Sequence, residues 1–220
     1  MCGRFTLTER DIASMARAWA AEVDAALAAA WRPRFNVAPG QPHLLLRATP
    51  TGRRLEQAVF GLPSARGSTH VNARLETAGT RPAFREAWQG RRCAIPVDGF
   101  YEWSGPARAR RPVWFHRPGG RPILLAALHG PSQGGATGFV ILTGPANAEV
   151  GRVHDRMPVI LPEDRLEAWL SGPPPALEPA ADGSLAARTV SPRANSVEHD
   201  DPACLEPADP AEGGPQLRLL

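Results

Sequence analysis

From Leu44 to Thr143 the sequence is cut into short apolar runs, none longer than a strand, with Gly, Pro, Ser, Thr and Arg between them. No other feature constrains the fold as much. Many short strands at close spacing must pair mainly with their sequence neighbours, and they bury their apolar faces by curling into an antiparallel sheet or closing into a barrel. Residues 44–48 and 55–61, with a Thr-Gly step between them, read as a hairpin. Residues 93–97, 99–103, 112–116, 123–128 and 138–143 read as further strands, and residues 189–190 as a last short one rejoining the sheet.

Helical signals flank this block. Thr8 and Asp11 resemble a capping box. Ile12, Met15, Ala16 and Trp19 then recur at the i, i+3, i+4, i+7 spacing of an amphipathic helix. An Ala-rich stretch over residues 22–30 predicts a second helix. Pro82 is placed to start a short helix running through Trp88, and residues 146–153 and 163–170 predict two more, the last opened by Pro162. The prolines of residues 34–42 forbid a helix interior and predict a turn or extended loop. Residues 62–80 read as a loop with little regular structure, and residues 171–187 as an irregular Pro/Ala/Gly-rich excursion. There is no internal repeat. The expectation is one α+β domain over residues 1–205, β-rich, with a curled, mostly antiparallel sheet or barrel flanked by helices, followed by a disordered acidic tail over residues 206–220.

No apolar run approaches a membrane span, and the opening residues do not read as a signal peptide. Three cysteines, Cys2, Cys93 and Cys204, without CxxC pairing, argue against a disulfide scaffold and against zinc. A P-loop, GxSxG and GxGxxG are all absent from the sequence, so neither a metal nor a cofactor is expected. A reducing cytoplasm and a monomer are the simplest expectations. All 25 basic residues are Arg, so the only amine the chain offers for imine chemistry is its α-amino group. Residues 1–130 hold 19 Arg against 9 Asp and Glu, while residues 131–220 hold 6 against 13. A basic body with an acidic end suits an anionic partner such as nucleic acid, although a solvated Arg-rich surface gives the same composition.

Once Met1 is removed, Cys2 carries a thiol beside a free α-amine whose reference pKa of about 7.7–8.0 leaves part of it neutral. The ammonium form is expected to lower the thiol pKa. A 1,2-aminothiol condenses with an aldehyde to an imine and then closes a five-membered thiazolidine, the second step being intramolecular. Taken alone, Cys2 also reads as an incidental cysteine at a frayed end. Glu102, set among aromatics in Asp98-Gly99-Phe100-Tyr101-Glu102-Trp103, is a candidate general acid; the other reading is a carboxylate on a wet strand face. Alternation puts Glu102 on the face of Phe100, opposite Tyr101 and Trp103. His154 sits between helix and loop in His-Asp-Arg-Met-Pro, a setting that suits a site. Asn72 and Arg74 lie in another loop, where an amide can bond a reacting group and a guanidinium can clamp a phosphate.

Together these segments carry a resemblance. Met1-Cys2-Gly3-Arg4-Phe5, Arg34-Phe35-Asn36-Val37-Ala38-Pro39, Asn72-Ala73-Arg74-Leu75-Glu76-Thr77, the run from Arg91 to Trp103, His154-Asp155-Arg156-Met157-Pro158 and Ser191-Pro192-Arg193-Ala194-Asn195 follow one another in order. They resemble the SRAP family (SOS-response-associated peptidases), whose members are abasic-site processing proteins. The resemblance implies a compact β-rich α+β fold with Cys2 buried at a DNA groove, and abasic single-stranded DNA as the partner. It implies Cys2 as the nucleophile that forms a thiazolidine with the ring-opened sugar. Asn72 would position Cys2 and the adduct, Glu102 would move protons, and His154 would assist acid–base steps and reversal. It further implies Arg4, Pro39, Arg74, Thr143 and Arg156 as DNA contacts, and an ability to remove Met1.

The sequence departs from the family pattern where Phe60-Gly61-Leu62-Pro63-Ser64-Ala65 stands in place of a segment with two DNA-stacking Trp residues. The departure predicts weaker DNA binding unless Phe60 compensates, since base–aromatic stacking contributes about 1–3 kcal/mol per base. His129 also replaces a usual Trp, with an expected effect on packing only. Two other readings compete: a cysteine peptidase acting on other proteins through Cys2 and His154, and a non-catalytic single-strand binder.

Overall fold

The computed structural model describes residues 2–208 except Arg66 and Ala107. Five strands close on themselves. Thr137–Pro145 pairs antiparallel with Ile123–Pro131, which pairs with Arg92–Val97, which meets Pro42–Thr49, which pairs along its whole length with Gly52–Phe60. The ring is then shut by a parallel contact, Gly138 opposite Val59 and Phe139 opposite Phe60. Gly138 permits that closure: a Cβ there would lie 2.5 Å from the Gly61 carbonyl oxygen.

Alternation along these strands sorts the core into two layers. Leu45, Phe60, Ile95, Leu125, Phe139 and Ile141 pack on one side together with Cys2, Phe5 and Phe100. Leu44, Leu46, Ala94, Leu124, Leu128 and Leu142 pack on the other against the helical residues Ile12, Met15, Phe84, Ala87, Leu166 and Trp169. Strands buried on both faces read as unbroken apolar runs, which is why residues 123–128 carry no polar alternation.

A second sheet of five strands, in the order Ala186–Thr189, Arg111–His116, Gly99–Ser104, Phe5–Leu7, Arg34–Val37, is antiparallel throughout. It carries the N-terminal residues and Glu102. Residues 191–208 close over its far face, where Tyr101, Trp114, Val190, Ala194 and Cys204 form a small core. The β-rich architecture with flanking helices is the one the strand pattern implies.

Several local expectations change. The helix anticipated over residues 22–30 is a strand, Ala21–Val23, followed by a helix, Ala25–Ala30, because the Asp24 carboxylate accepts from the Ala26 and Leu27 N–H groups and sets the helix start there. Asp11 itself caps the first helix, Ile12–Ala18, while Thr8 bonds the Asp98 carboxylate 2.5 Å away. The loop expected at residues 34–42 contains the Arg34–Val37 strand. That expected at residues 62–80 contains Leu62–Pro63 paired with Thr69–His70, the strand Asn72–Arg74 and the helical turn Leu75–Ala78. Glu206 and Ala208 are hydrogen-bonded to Ser191 and Thr189 through the main chain; the rest of the expected acidic tail, residues 209–220, lies outside the described residues. Among the described residues no helix is long and apolar enough to cross a membrane.

Candidate active site

Cys2 lies just ahead of the Phe5–Leu7 strand and has no exposed surface. Phe5 faces Phe100 in the antiparallel ladder, and the Tyr101 N–H donates to the Arg4 carbonyl at 3.0 Å. Cys2 lies ahead of this strand and outside its alternation; its side chain packs with Phe5 and Phe100, and the Glu102 charge acts on its thiol. Glu102 is 3% exposed. As alternation required, its face is that of Phe100, while Tyr101 turns to the layer under residues 191–208.

The Asn72–Arg74 strand runs parallel to Thr137–Pro145, with Arg74 opposite Thr143, and Thr143 in turn faces Pro158 of Arg156–Pro158. This three-strand ladder brings Asn72 to the N-terminus, where its amide Nδ2 donates to the Cys2 carbonyl at 3.0 Å. His154 precedes Arg156–Pro158. Its Nδ1 accepts the Arg156 main-chain N–H at 3.0 Å and lies 3.0 Å from Asp155 Oδ1. The first contact needs a bare Nδ1 and the second a protonated one.

Burial and neighbouring charge shift both Cys2 and Glu102. Burial pushes the Cys2 thiol well above the ordinary cysteine range, the Glu102 carboxylate adds to the rise, and the N-terminal ammonium pulls down without cancelling it. The ammonium lowers the thiol in the direction expected from the sequence, but desolvation by burial outweighs that single charge. The thiol is neutral and donates to the Arg4 carbonyl, 3.7 Å away. Burial likewise holds Glu102 above the ordinary carboxylate range, with the terminal ammonium and His154 offsetting part of it.

The candidate contact residues divide into two flanks. Arg4 donates to Asn36 Oδ1 at 2.8 Å and to the Ala194 carbonyl at 2.9 Å, and its guanidinium lies over the Trp103 ring. With exposed Pro39 it lines an open groove of about 650 Å³ completed by Trp103, Arg108, Arg110 and Asn195. On the other flank Arg74 is exposed, whereas Arg156 is tied to Glu76. Thr143 is fully buried and its hydroxyl points to the Ala73 carbonyl at 3.5 Å, so a contact from it to a ligand requires neighbouring side chains to move. Sequence reasoning overlooked Arg108, Arg110 and Glu76. The Arg-Ala-Arg-Arg run at residues 108–111 was the available signal for the first two.

Phe60 does not compensate for the absent aromatics. It has no exposed surface and packs inside the barrel between Phe5 and Phe139, with ring centroids 5.1 and 5.2 Å away. Among the described residues no group of His, Cys, Asp or Glu is arranged to hold a metal.

A family model described as SOS response associated peptidase (SRAP) matches residues 1–197. The abasic site processing protein YoqW of Bacillus subtilis is 30% identical over 94% of this chain and 99% of its own length. The abasic site processing protein YedK of Escherichia coli is 33% identical over 62% of this chain, and that match spans 64% of YedK, just under two thirds. In fold the chain is similar to the crystal structure of a protein from Bacteroides thetaiotaomicron, with a TM-score of 0.80 at 19% identity, covering 94% of this chain and all of that one.

Proposed function

The chain belongs to the SOS response associated peptidase (SRAP) family, and from that membership we propose that it processes abasic sites in single-stranded DNA by bonding them covalently through Cys2. The observation that carries this reading is the setting of Cys2: buried, held by Asn72 at its carbonyl, and within the electrostatic reach of a buried Glu102 whose carboxyl is held above the ordinary carboxylate range. The relatives named as abasic site processing proteins support it.

The chemistry follows from that setting. With Met1 removed, by this protein itself or by an aminopeptidase, the Cys2 α-amine is the leading nucleophile, since the thiol is neutral. Protonated Glu102 gives a proton to the sugar ring oxygen while the anomeric hydroxyl releases its own to solvent, opening the hemiacetal to the aldehyde. The amine adds to that carbonyl, and loss of water leaves the imine. The Glu102 carboxylate then takes the thiol proton, sulfur bonds to the imine carbon, and the nitrogen takes up a proton from solvent, balancing the one released on ring opening, as the ring closes. One water is released overall. His154 serves as the second proton carrier and assists reversal. The basic groove beside Arg4 supplies the attraction for the strand.

A peptidase reading would need a thiolate paired with imidazolium, hence a depressed thiol pKa. Burial drives the Cys2 thiol in the opposite direction, which counts against that dyad. The test is a denaturing gel with single-stranded DNA carrying one abasic site. A band resistant to heat and detergent, absent in Cys2→Ala and absent without the abasic site, is expected. No such band from protein shown by intact mass to lack Met1 would overturn the reading.

A further inference from the structure

Among the described residues of the candidate site, Arg156 is engaged by an internal carboxylate in a two-pronged grip. Its Nη1 and Nη2 donate to Glu76 Oε1 and Oε2 at 2.8 and 2.9 Å, and Nη2 also donates to the Thr143 carbonyl. The Arg156 side chain is 12% exposed, whereas that of Glu76 is 46% exposed. The buried end of the pair is thus the arginine, anchored to a strand carbonyl, and the solvent-facing end is the carboxylate on the short Leu75–Ala78 turn.

Two oxygens of a carboxylate and two of a phosphate present nearly the same face to an arginine fork. Glu76 therefore sits where a backbone phosphate would bind. We propose that Glu76 is a specificity-determining residue: it occupies the phosphate seat of Arg156 and must be displaced before a nucleic-acid strand engages this flank. The inference rests on the reading of the chain as a nucleic-acid-binding protein.

Two neighbours fit the exchange. Exposed Arg74, two residues before Glu76, helps hold Glu76 below the ordinary carboxylate range and can keep it as an ion pair once it leaves Arg156. The Arg156 main-chain N–H is the donor that fixes His154 Nδ1, so the residue that receives the phosphate also sets the imidazole. An ordinary strand must compete with a tethered carboxylate at this fork. A strand fastened at Cys2 is held against the same fork at high effective concentration and competes far better. The device favours damaged over intact DNA.

The test is fluorescence anisotropy with an undamaged single-stranded oligonucleotide across a salt series, using wild type, Glu76→Gln, Arg156→Gln and the double variant, with abasic-site crosslinking run in parallel. Glu76→Gln is expected to bind the intact strand about three- to tenfold tighter, with a salt slope steeper by about 0.7, the value for one further single-strand phosphate contact. The double variant should behave as Arg156→Gln. Equal or weaker binding by Glu76→Gln with an unchanged slope, while crosslinking persists, overturns the proposal alone and makes Glu76 a buttress of Arg156. Absence of both binding and crosslinking in the folded wild type overturns the nucleic-acid reading and this proposal with it.

Discussion

The side-chain amide of Asn72 donates to the main-chain carbonyl of Cys2 at 3.0 Å, across seventy residues of sequence. Its Oδ1 is buried without a hydrogen-bond partner among the described residues. One end of the amide fixes the N-terminal residue, and the other is an acceptor available to an amine or a sugar hydroxyl. Misplacing a nucleophile by about 1 Å can cost roughly a hundredfold in rate. Asn72→Ala should therefore slow crosslinking by about that factor while leaving reversible strand binding nearly intact. Asn72→Asp keeps an acceptor but loses the donor and should be impaired as well; wild-type rates in Asn72→Asp would show that the bond to Cys2 is dispensable.

Glu102 sets chemistry against stability. Its carboxyl is raised by burial, so between the ordinary carboxylate range and its folded value the unfolded chain releases a proton that the folded chain keeps. The contribution to stability is full at acid pH and is lost as pH rises through the folded value. Glu102→Gln removes that loss, so at neutral pH it should melt higher, by about 2–4 °C per kcal/mol recovered, while crosslinking slows at least tenfold. Thermal melts at pH 5 and pH 8 check the sign, because the gain should be larger at pH 8.

The barrel was legible because its strands, buried on both faces, announce themselves as apolar runs, as at Ile123–Pro131. Short elements were not. Three residues, Asn72–Arg74, are a strand only because Ile141, Leu142 and Thr143 lie beside them, a partner about seventy positions away. Asp24 split a helix that composition alone would have run through. The site was legible piecewise. Alternation assigned Glu102 to its face, but nothing local foretold that desolvation would raise the Cys2 thiol or that Arg156 would be held by Glu76.

His43 predicts an acid limit to stability. It has no exposed surface, packs against the Phe5 and Trp31 rings, and donates from Nε2 to the Pro96 carbonyl at 2.8 Å. Burial lowers its pKa from 6.5 to about 3. As pH falls from 6.5 toward 3 the unfolded chain binds a proton that the folded chain refuses, so stability is lost across that window, by up to about 4 kcal/mol. His43→Gln keeps a donor for Pro96 without titrating. Its baseline drops from lost packing, but the pH slope of its denaturation midpoint between 6.5 and 3 should flatten; an unchanged slope would place the acid sensitivity elsewhere.

Phe60 predicts what restoring an aromatic at the altered segment does. In the barrel interior it stacks on Phe139 at an interplanar angle of 10° and leans on Phe5. Cores tolerate added volume poorly, so Phe60→Trp should cost about 1–3 kcal/mol by overpacking, and Phe60→Ala about 3–5 kcal/mol by leaving a cavity. Neither should strengthen strand binding, since no side chain at this position reaches solvent. Aromatic stacking on a bound base, where this protein supplies it, falls instead to half-exposed Trp103 on the groove wall. Trp103→Ala should weaken intact-strand binding by roughly 1–3 kcal/mol, the size of one lost stacking contact. Anisotropy on both variants decides it: a Phe60→Trp protein that binds single strands more tightly than wild type would mean that residues 60–65 open outward in solution.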